Sequence, residues 1–328
     1  MPLIATRGAA SAQGFGEFAQ AAVSDGTKAI FALGLVNCAT WSSTRNKYTY
    51  ACCTSTACGV GTSVVGGGGC GRAAGNSTRG VFATGRGTAA RCRHMYACCT
   101  TTSTGAGGFA SSVVVGGTAA GNATRGIFSI GNSSCVLTTT RNTFTYATCT
   151  SASAAAGSTA ANYGSAVGNS TRGIFSLGRT FNCGYCATST RNKFTYACNS
   201  STASGVASAS FPSLFQSAAG NSTRGIIALG RKCSSFSACG NVRNKYTYAC
   251  CTSTASGVAT ASVAIGYGGS AAGNSTRGIF ALGSSGGSGS VRNKYTYACC
   301  TSTASGVGTS SSPGINGAAA SWSLCVNA

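Results

Sequence analysis

The sequence predicts an all-β fold, a six-bladed β-propeller, and three observations lead there. The phrase Gly-Asn-(Ser/Ala)-Thr-Arg-Gly, followed by an apolar run, begins at Gly75, Gly121, Gly168, Gly220 and Gly273, with a degraded copy at Thr27 to Gly34. A second phrase follows each copy at a short distance: Arg45 to Tyr50, the altered Arg91 to Tyr96, then Arg141 to Tyr146, Arg191 to Tyr196, Arg243 to Tyr248 and Arg292 to Tyr297. One register, held by Phe31, Phe82, Phe128, Phe175, Ile227 and Phe280, recurs every 46 to 53 residues. A repeat of about 50 residues made of short strands is the signature of propeller blades.

The unit reads as strand because its apolar residues alternate or come in short runs rich in Tyr, Phe, Ile, Val and Thr, with almost no helix formers. Gly225 to Gly230 is an apolar strand closed by glycines, and Lys245 to Thr252 reads as a second strand in which Tyr246, Thr247 and Tyr248 alternate in facing. Between them lies a loop whose content changes from unit to unit. The remaining segment, for example Thr254 to Val263, is expected to supply two weaker strands, giving four per unit. One unit cannot bury both faces of its sheet, so six must pack around an axis. An elongated β-repeat fibre module is the alternative, although a closed ring removes the ends that a linear stack must cap. The expected division is a lead segment, 1–25, and a ring, 26–328, with approximate units 26–72, 73–118, 119–165, 166–217, 218–270 and 271–328.

The apolar strands at Ser77 to Gly85, Ser170 to Gly178 and Ser275 to Gly283, each followed by a Tyr- or Phe-containing strand or its altered copy, resemble kelch-type propeller repeats of bacteriophage structural proteins. The opening Thr6 to Gly16 is similar to that of tail-associated phage and prophage proteins. A single Gly ends most of the apolar strands where ordinary kelch repeats carry two, and Trp41 and Trp322 lie out of register with one another. The resemblance implies a structural component of a virion tail, with other virion proteins as partners.

Composition narrows the chemistry. Against 23 Lys and Arg stand two acidic residues, Glu17 and Asp25, both in the lead. Paired carboxylates for glycoside hydrolysis or general acid and base work cannot be assembled within the repeats, nor can an oxygen-ligand calcium cage. The single histidine, His94, reads as a strand residue that drifted from the repeat, and a Cys92/His94 nucleophile pair has no identifiable Asn or Asp partner. The expectation is a protein with no catalytic residues, no metal and no cofactor.

Twenty cysteines include four adjacent pairs in one register, Cys52-Cys53, Cys98-Cys99, Cys250-Cys251 and Cys299-Cys300, with Cys149 and Cys198 as single members. Alternation along a strand predicts that the two sulfurs of a pair serve different neighbourhoods. Zinc is disfavoured because the only C-x-x-C is Cys183 to Cys186. One hypothesis links a loop cysteine (Cys38, Cys135, Cys183 or Cys239) to a strand cysteine of the same unit (Cys52, Cys53, Cys149, Cys198 or Cys250). Buried free thiols acting as apolar filler are the other reading. The start Met1-Pro-Leu-Ile-Ala-Thr-Arg lacks the apolar core of a secretory signal and no stretch approaches about 18 apolar residues, so neither export by a leader nor membrane insertion is expected. A virion component, made in the cytoplasm and released by lysis, reconciles that with a disulfide-forming exterior. The sequons at Asn76, Asn122, Asn169, Asn221 and Asn274 then follow from the repeat alone.

A net charge of +21 distributed over six units would form rings of positive potential through Arg79, Arg125, Arg172, Arg224 and Arg277 and the Arg-Asn-Lys groups. The plainer reading has each Arg packing on the neighbouring blade and donating to backbone carbonyls. Anionic host-surface polysaccharide suits the charge, with Tyr48, Tyr246 and Tyr295 available to stack on sugars. Nucleic acid is disfavoured for want of a known binding module or basic tail. The candidate recognition loops are Leu35 to Thr44, Asn132 to Thr140, Arg179 to Thr190 and Arg231 to Val242, which vary while their flanks repeat. They carry Asn37, Cys38, Trp41, Cys135, Phe181, Asn182, Tyr185, Lys232 and Phe236. The sequence also admits a self-assembling surface or fibre protein, a homo-oligomer linked through its cysteines and strand edges, and more remotely a basic nucleic-acid-binding repeat protein.

Overall fold

The computed structural model describes residues 28–32, 35–36, 40–56, 62, 72–83, 91–95, 100–102, 114–133, 136–180, 187–232, 240–264, 269–283, 290–305, 307–309, 314–315 and 318–321. These residues form strands and turns and no helix, and six antiparallel four-stranded sheets stand in a ring as a six-bladed β-propeller. The lead 1–25 lies outside the described residues.

Blades 2 to 6 each run in chain order from the axis outward. Blade 2 consists of Arg72–Gly75, Arg79–Ala83, Arg91–Met95 and Thr100–Thr102, and blade 3 of Thr118–Gly121, Arg125–Ser129, Arg141–Thr145 and Thr150–Ala154. Blade 4 is Ser165–Gly168, Arg172–Arg179, Ala187–Thr195 and Ser200–Thr202; blade 5 is Ser217–Gly220, Arg224–Ala228, Arg243–Thr247 and Thr252–Thr254. Blade 6 is Ser270–Gly273, Arg277–Ala281, Arg292–Thr296 and Thr301–Thr303. Blade 1 takes Lys28–Ala32, Arg45–Thr49 and Thr54–Thr56 from one end of the chain and its innermost strand, Ala318–Ser321, from the other. Ile30 pairs with Ala320 and Phe31 with Ala319, which closes the ring. The innermost strands contact one another around the axis.

Two expectations need correction. Thr254 to Val263 does not hold two strands: the outer strand of blade 5 ends at Thr254, and the next described strand is Ser270–Gly273, at the opening of the following phrase. Lys245 to Thr252 is not one continuous strand either. It stops at Thr247, and 248–251 turns the chain into Thr252–Thr254. Cys98-Cys99 lies outside the described residues; the pairs Cys52-Cys53, Cys250-Cys251 and Cys299-Cys300 therefore sit in turns, and strand alternation does not separate their sulfurs. A left-handed backbone does: Cys53, Cys149, Cys251 and Cys300 have φ between 53° and 56°, and blade 4 places Asn199 there at 50°.

The first phrase folds as it does because its Asn is a turn-former. The Asn122 Oδ1 accepts from the backbone N–H of Thr124 and Arg125 and from the Thr124 hydroxyl, and its Nδ2 donates to the Ser170 carbonyl of the next blade at 3.0 Å. Asn76, Asn169 and Asn221 do the same toward Ala123, Ser222 and Ser275. These sequon side chains are committed to the inter-blade seam. The flanking glycines leave a slot for the tyrosine that ends the third strand: a Cβ on Gly121 would lie 2.7 Å from the Tyr146 hydroxyl.

The core lies between blades. Ala120, Ile127, Phe175, Leu177, Phe194 and Tyr196 form one seam, and Ala219, Ile226, Phe280, Leu282, Tyr295 and Tyr297 another. Within a blade the rings meet edge to face, as for Phe144 and Tyr146 at 5.8 Å and Tyr48 and Tyr50 at 5.6 Å. Burying each large side chain contributes about 1.5–3 kcal/mol, so the rings supply the main glue of the seams.

Candidate functional site

The positive charge falls first into a structural ring. Arg45, Arg91, Arg141, Arg191, Arg243 and Arg292 open the third strand-phrase of each blade and are buried to 2 % exposure or less. Each reaches onto an aromatic ring of the next blade: Arg45 over Phe82, Arg91 over Phe128, Arg141 over Phe175 at 4.3 Å, Arg191 over Tyr246, Arg243 over Phe280, and Arg292 over Phe31 across the closure. The Arg243 Nη1 donates to the Ser302 hydroxyl and the Thr260 carbonyl, and Nη2 to Asn293 Oδ1 at 3.1 Å. Arg141, Arg191 and Arg292 repeat this toward Ser201 and Asn192, Ser253 and Asn244, and Ser55 and Asn46.

No carboxylate is present among the described residues, so neutral oxygens and π faces hold these cations. Burial pulls the guanidinium of Arg91 down to about 9 and those of Arg141, Arg191, Arg243 and Arg292 to about 10. A second set docks from one blade onto the next: Arg79, Arg125, Arg172, Arg224 and Arg277 donate through Nη1 to the carbonyls of Tyr146, Tyr196, Tyr248, Tyr297 and Tyr50. The plainer reading of the arginines is what the structure contains. Tyr48, Tyr246 and Tyr295 have no exposed surface and cannot stack on a sugar, because the third strand turns them into the seams.

The two rims differ. The lower rim repeats the described Asn-Ser-Thr turns and Tyr-x-x-Cys turns, while the second strands end and the third strands begin at the upper rim. The described strand ends that flank all four candidate loops therefore lie at the upper rim. Of their candidate residues, Asn37, Cys38, Cys135, Phe181, Asn182, Tyr185 and Phe236 lie outside the described residues. Trp41 is in the short strand Thr40–Trp41, which pairs with Leu35–Val36 and through it with Gly314–Ile315. Lys232 is exposed, with its Nζ 4.8 Å from the Phe211 ring centre. Val114–Val115 with Asn132–Ser133 and Val136–Leu137, and Ser213–Leu214 with Arg231–Lys232, make similar annexes above blades 3 and 5.

Sequence reasoning missed Tyr163 and Phe215. Each lies in the connection just before an innermost strand, at the upper mouth of the ring, half-buried with its rings 4.8 Å apart. Each also has a left-handed backbone, φ 55° and 56°, a conformation that costs an aromatic residue roughly 1–3 kcal/mol. Backbone bonds hold them there: the Tyr163 N–H donates to the Gly116 carbonyl and the Phe215 N–H to the Tyr163 carbonyl, at 2.6 and 2.8 Å. The residue preceding each is paired with a cationic one, Asn162 with Arg179 and Leu214 with Arg231. The two rings form an aromatic pair beside the backbone pairings that Arg179 and Arg231 make. Neighbouring residues gave no motif; only alignment of the segments before each innermost strand sets Gly116, Tyr163 and Phe215 in one register.

Of the disulfide candidates, Cys38, Cys135, Cys183 and Cys239 lie outside the described residues, and Cys52, Cys53, Cys149, Cys198 and Cys250 carry free thiols. His94 is fully buried in the third strand of blade 2, with no exposed surface. Among the described residues no group of three or more His, Cys, Asp or Glu could hold a metal ion. No protein-family model matches the chain, and no curated protein matches it.

Proposed function

We propose that this chain is a non-enzymatic binding propeller whose upper rim recognises an anionic glycan, and that it serves as a tail-associated virion component attaching to a host surface. The observation that carries the recognition reading is the Tyr163–Phe215 pair, two half-buried rings held in a costly backbone conformation, each one residue on from a backbone pairing with a cationic residue, Arg179 or Arg231. Aromatic faces take the apolar faces of sugar rings, and cations without carboxylate neighbours favour acidic groups. Variable loops on the same rim would supply selectivity, as loops on a rigid scaffold do. The virion part rests on the repeat phrases and the opening segment. The test is binding of a sulfated or uronate-containing polysaccharide, against a neutral one, by the native chain and by Tyr163→Asn/Phe215→Asn. Asn removes the rings and tolerates the left-handed backbone. A loss of tenfold or more in affinity at unchanged thermal stability is expected; equal binding by native and variant overturns the reading. Immunogold labelling of purified particles tests the tail location.

A further inference from the structure

The lower rim carries chemistry that the binding reading does not use. In the described turns from third to fourth strand, those of blades 1, 3, 4, 5 and 6, two residues face different ways. The second of them, at Cys53, Cys149, Cys251 and Cys300, is half-buried and donates its thiol toward the carbonyl of the tyrosine three residues earlier. Those sulfurs belong to the seam, where Arg277 reaches Cys53, Arg79 reaches Cys149 and Arg172 reaches Cys251. The first of the two, at Cys52, Cys198, Cys250 and Cys299, is exposed. Its sulfur lies 2.9–3.0 Å from the hydroxyl two residues on, that of Thr54, Ser200, Thr252 or Thr301. The same turns receive the docked guanidinium of the preceding blade, Arg277, Arg125, Arg172 and Arg224 respectively.

We propose that Cys52, Cys198, Cys250 and Cys299 form a ring of thiol–disulfide exchange sites that take small anionic disulfides. Three features support the assignment. The thiols are exposed on one rim in one register. The hydroxyl beside each can donate to the thiolate; through that hydrogen bond the Thr hydroxyls pull the thiols of Cys52, Cys250 and Cys299 below the usual range. Docked guanidiniums, with no carboxylate among the described residues, make the rim attractive to an anion. The step is a balanced exchange. The cysteine thiolate attacks one sulfur of the incoming disulfide, whose S–S bond breaks as the mixed disulfide forms. The other half leaves as a thiolate and takes up the proton the cysteine lost, so the cysteine is oxidised and the leaving half reduced.

Blade 3 contains the control. Thr148 occupies the outer position and its hydroxyl lies 2.7 Å from that of Thr150, so threonine fits the turn. The experiment follows thiol release when the native chain meets dithiobis-nitrobenzoate, a dianionic disulfide, or dithiodipyridine, a neutral one. It is repeated with Cys52→Thr/Cys198→Thr/Cys250→Thr/Cys299→Thr and with Cys53→Asn/Cys251→Asn/Cys300→Asn. A fast-reacting class is expected in the native chain and in the Asn variant, and its amplitude should fall by four thiols per chain in the Thr variant, whose circular dichroism is unchanged. With the dianion the fast rate should fall severalfold on raising salt from about 0.05 to 0.5 M, and with the neutral reagent it should not. A fast class that survives in the Thr variant, or an equal salt response to both reagents, overturns the proposal.

Discussion

His94 stands where the other blades have Tyr48, Phe144, Phe194, Tyr246 and Tyr295, and like them it has no exposed surface. Burial first, and the Arg45 charge second, pull its imidazole from 6.5 to about 4. The unfolded chain therefore binds a proton between pH 6.5 and 4 that the folded chain refuses. The stability associated with neutral His94 is fully present above pH 6.5 and is lost as pH falls toward about 4, a loss on the order of 3 kcal/mol. Acid unfolding of ordinary proteins is dominated by carboxylates, and this chain has only Glu17 and Asp25. Urea titrations of the native chain should thus show one acid step between pH 6.5 and 4. His94→Phe should remove that step, and a step of the same size in the variant would assign it elsewhere. The sequence marked His94 as a departure from the repeat; its burial follows from which face of the third strand meets blade 1, and spacing alone does not give that.

Turns, more than strands, carry the information that holds each element in register. Gly230 ends the apolar strand of blade 5 with φ 65°, and a Cβ there would stand 2.3 Å from the Leu214 carbonyl. Gly230→Ala is expected to cost about 1–3 kcal/mol, since it combines a left-handed backbone with a backbone clash at the root of a loop. Cys300→Asn should be neutral or stabilising, because Asn199 already fills that position at positive φ in blade 4. Chemical denaturation of the two variants side by side measures both; a neutral Gly230→Ala or a strongly destabilised Cys300→Asn would contradict this account of the turns. The repeat phrases made strand number and the apolar second strand legible. They did not make the Cys-Cys turn legible, because Tyr-Ala-Cys-Cys-Thr has strand composition throughout and only the left-handed residue breaks it.

The whole ring depends on one pairing that no local phrase announces. Six units of near-identical spelling predicted six blades, but Ala318–Ser321 lies outside both phrases, and its place beside Lys28–Ala32 is a property of the closed circle. The roles of the arginines are likewise circular: Arg292 finds Phe31 and Asn46 only when the last blade meets the first. Removing 314–321 should leave Lys28–Ala32 as an unpaired innermost edge, lower the melting temperature and promote association through that edge. Scanning calorimetry and size-exclusion chromatography would detect both, and a monomer of native stability would refute the closure argument. A ribosome makes the partner of Lys28–Ala32 after the other strands of the six blades. Until then the first blade waits without its axial strand while five complete sheets stack up behind it, so ring closure follows the making of the sixth blade, and a translation stall in that blade would release a product with an open edge.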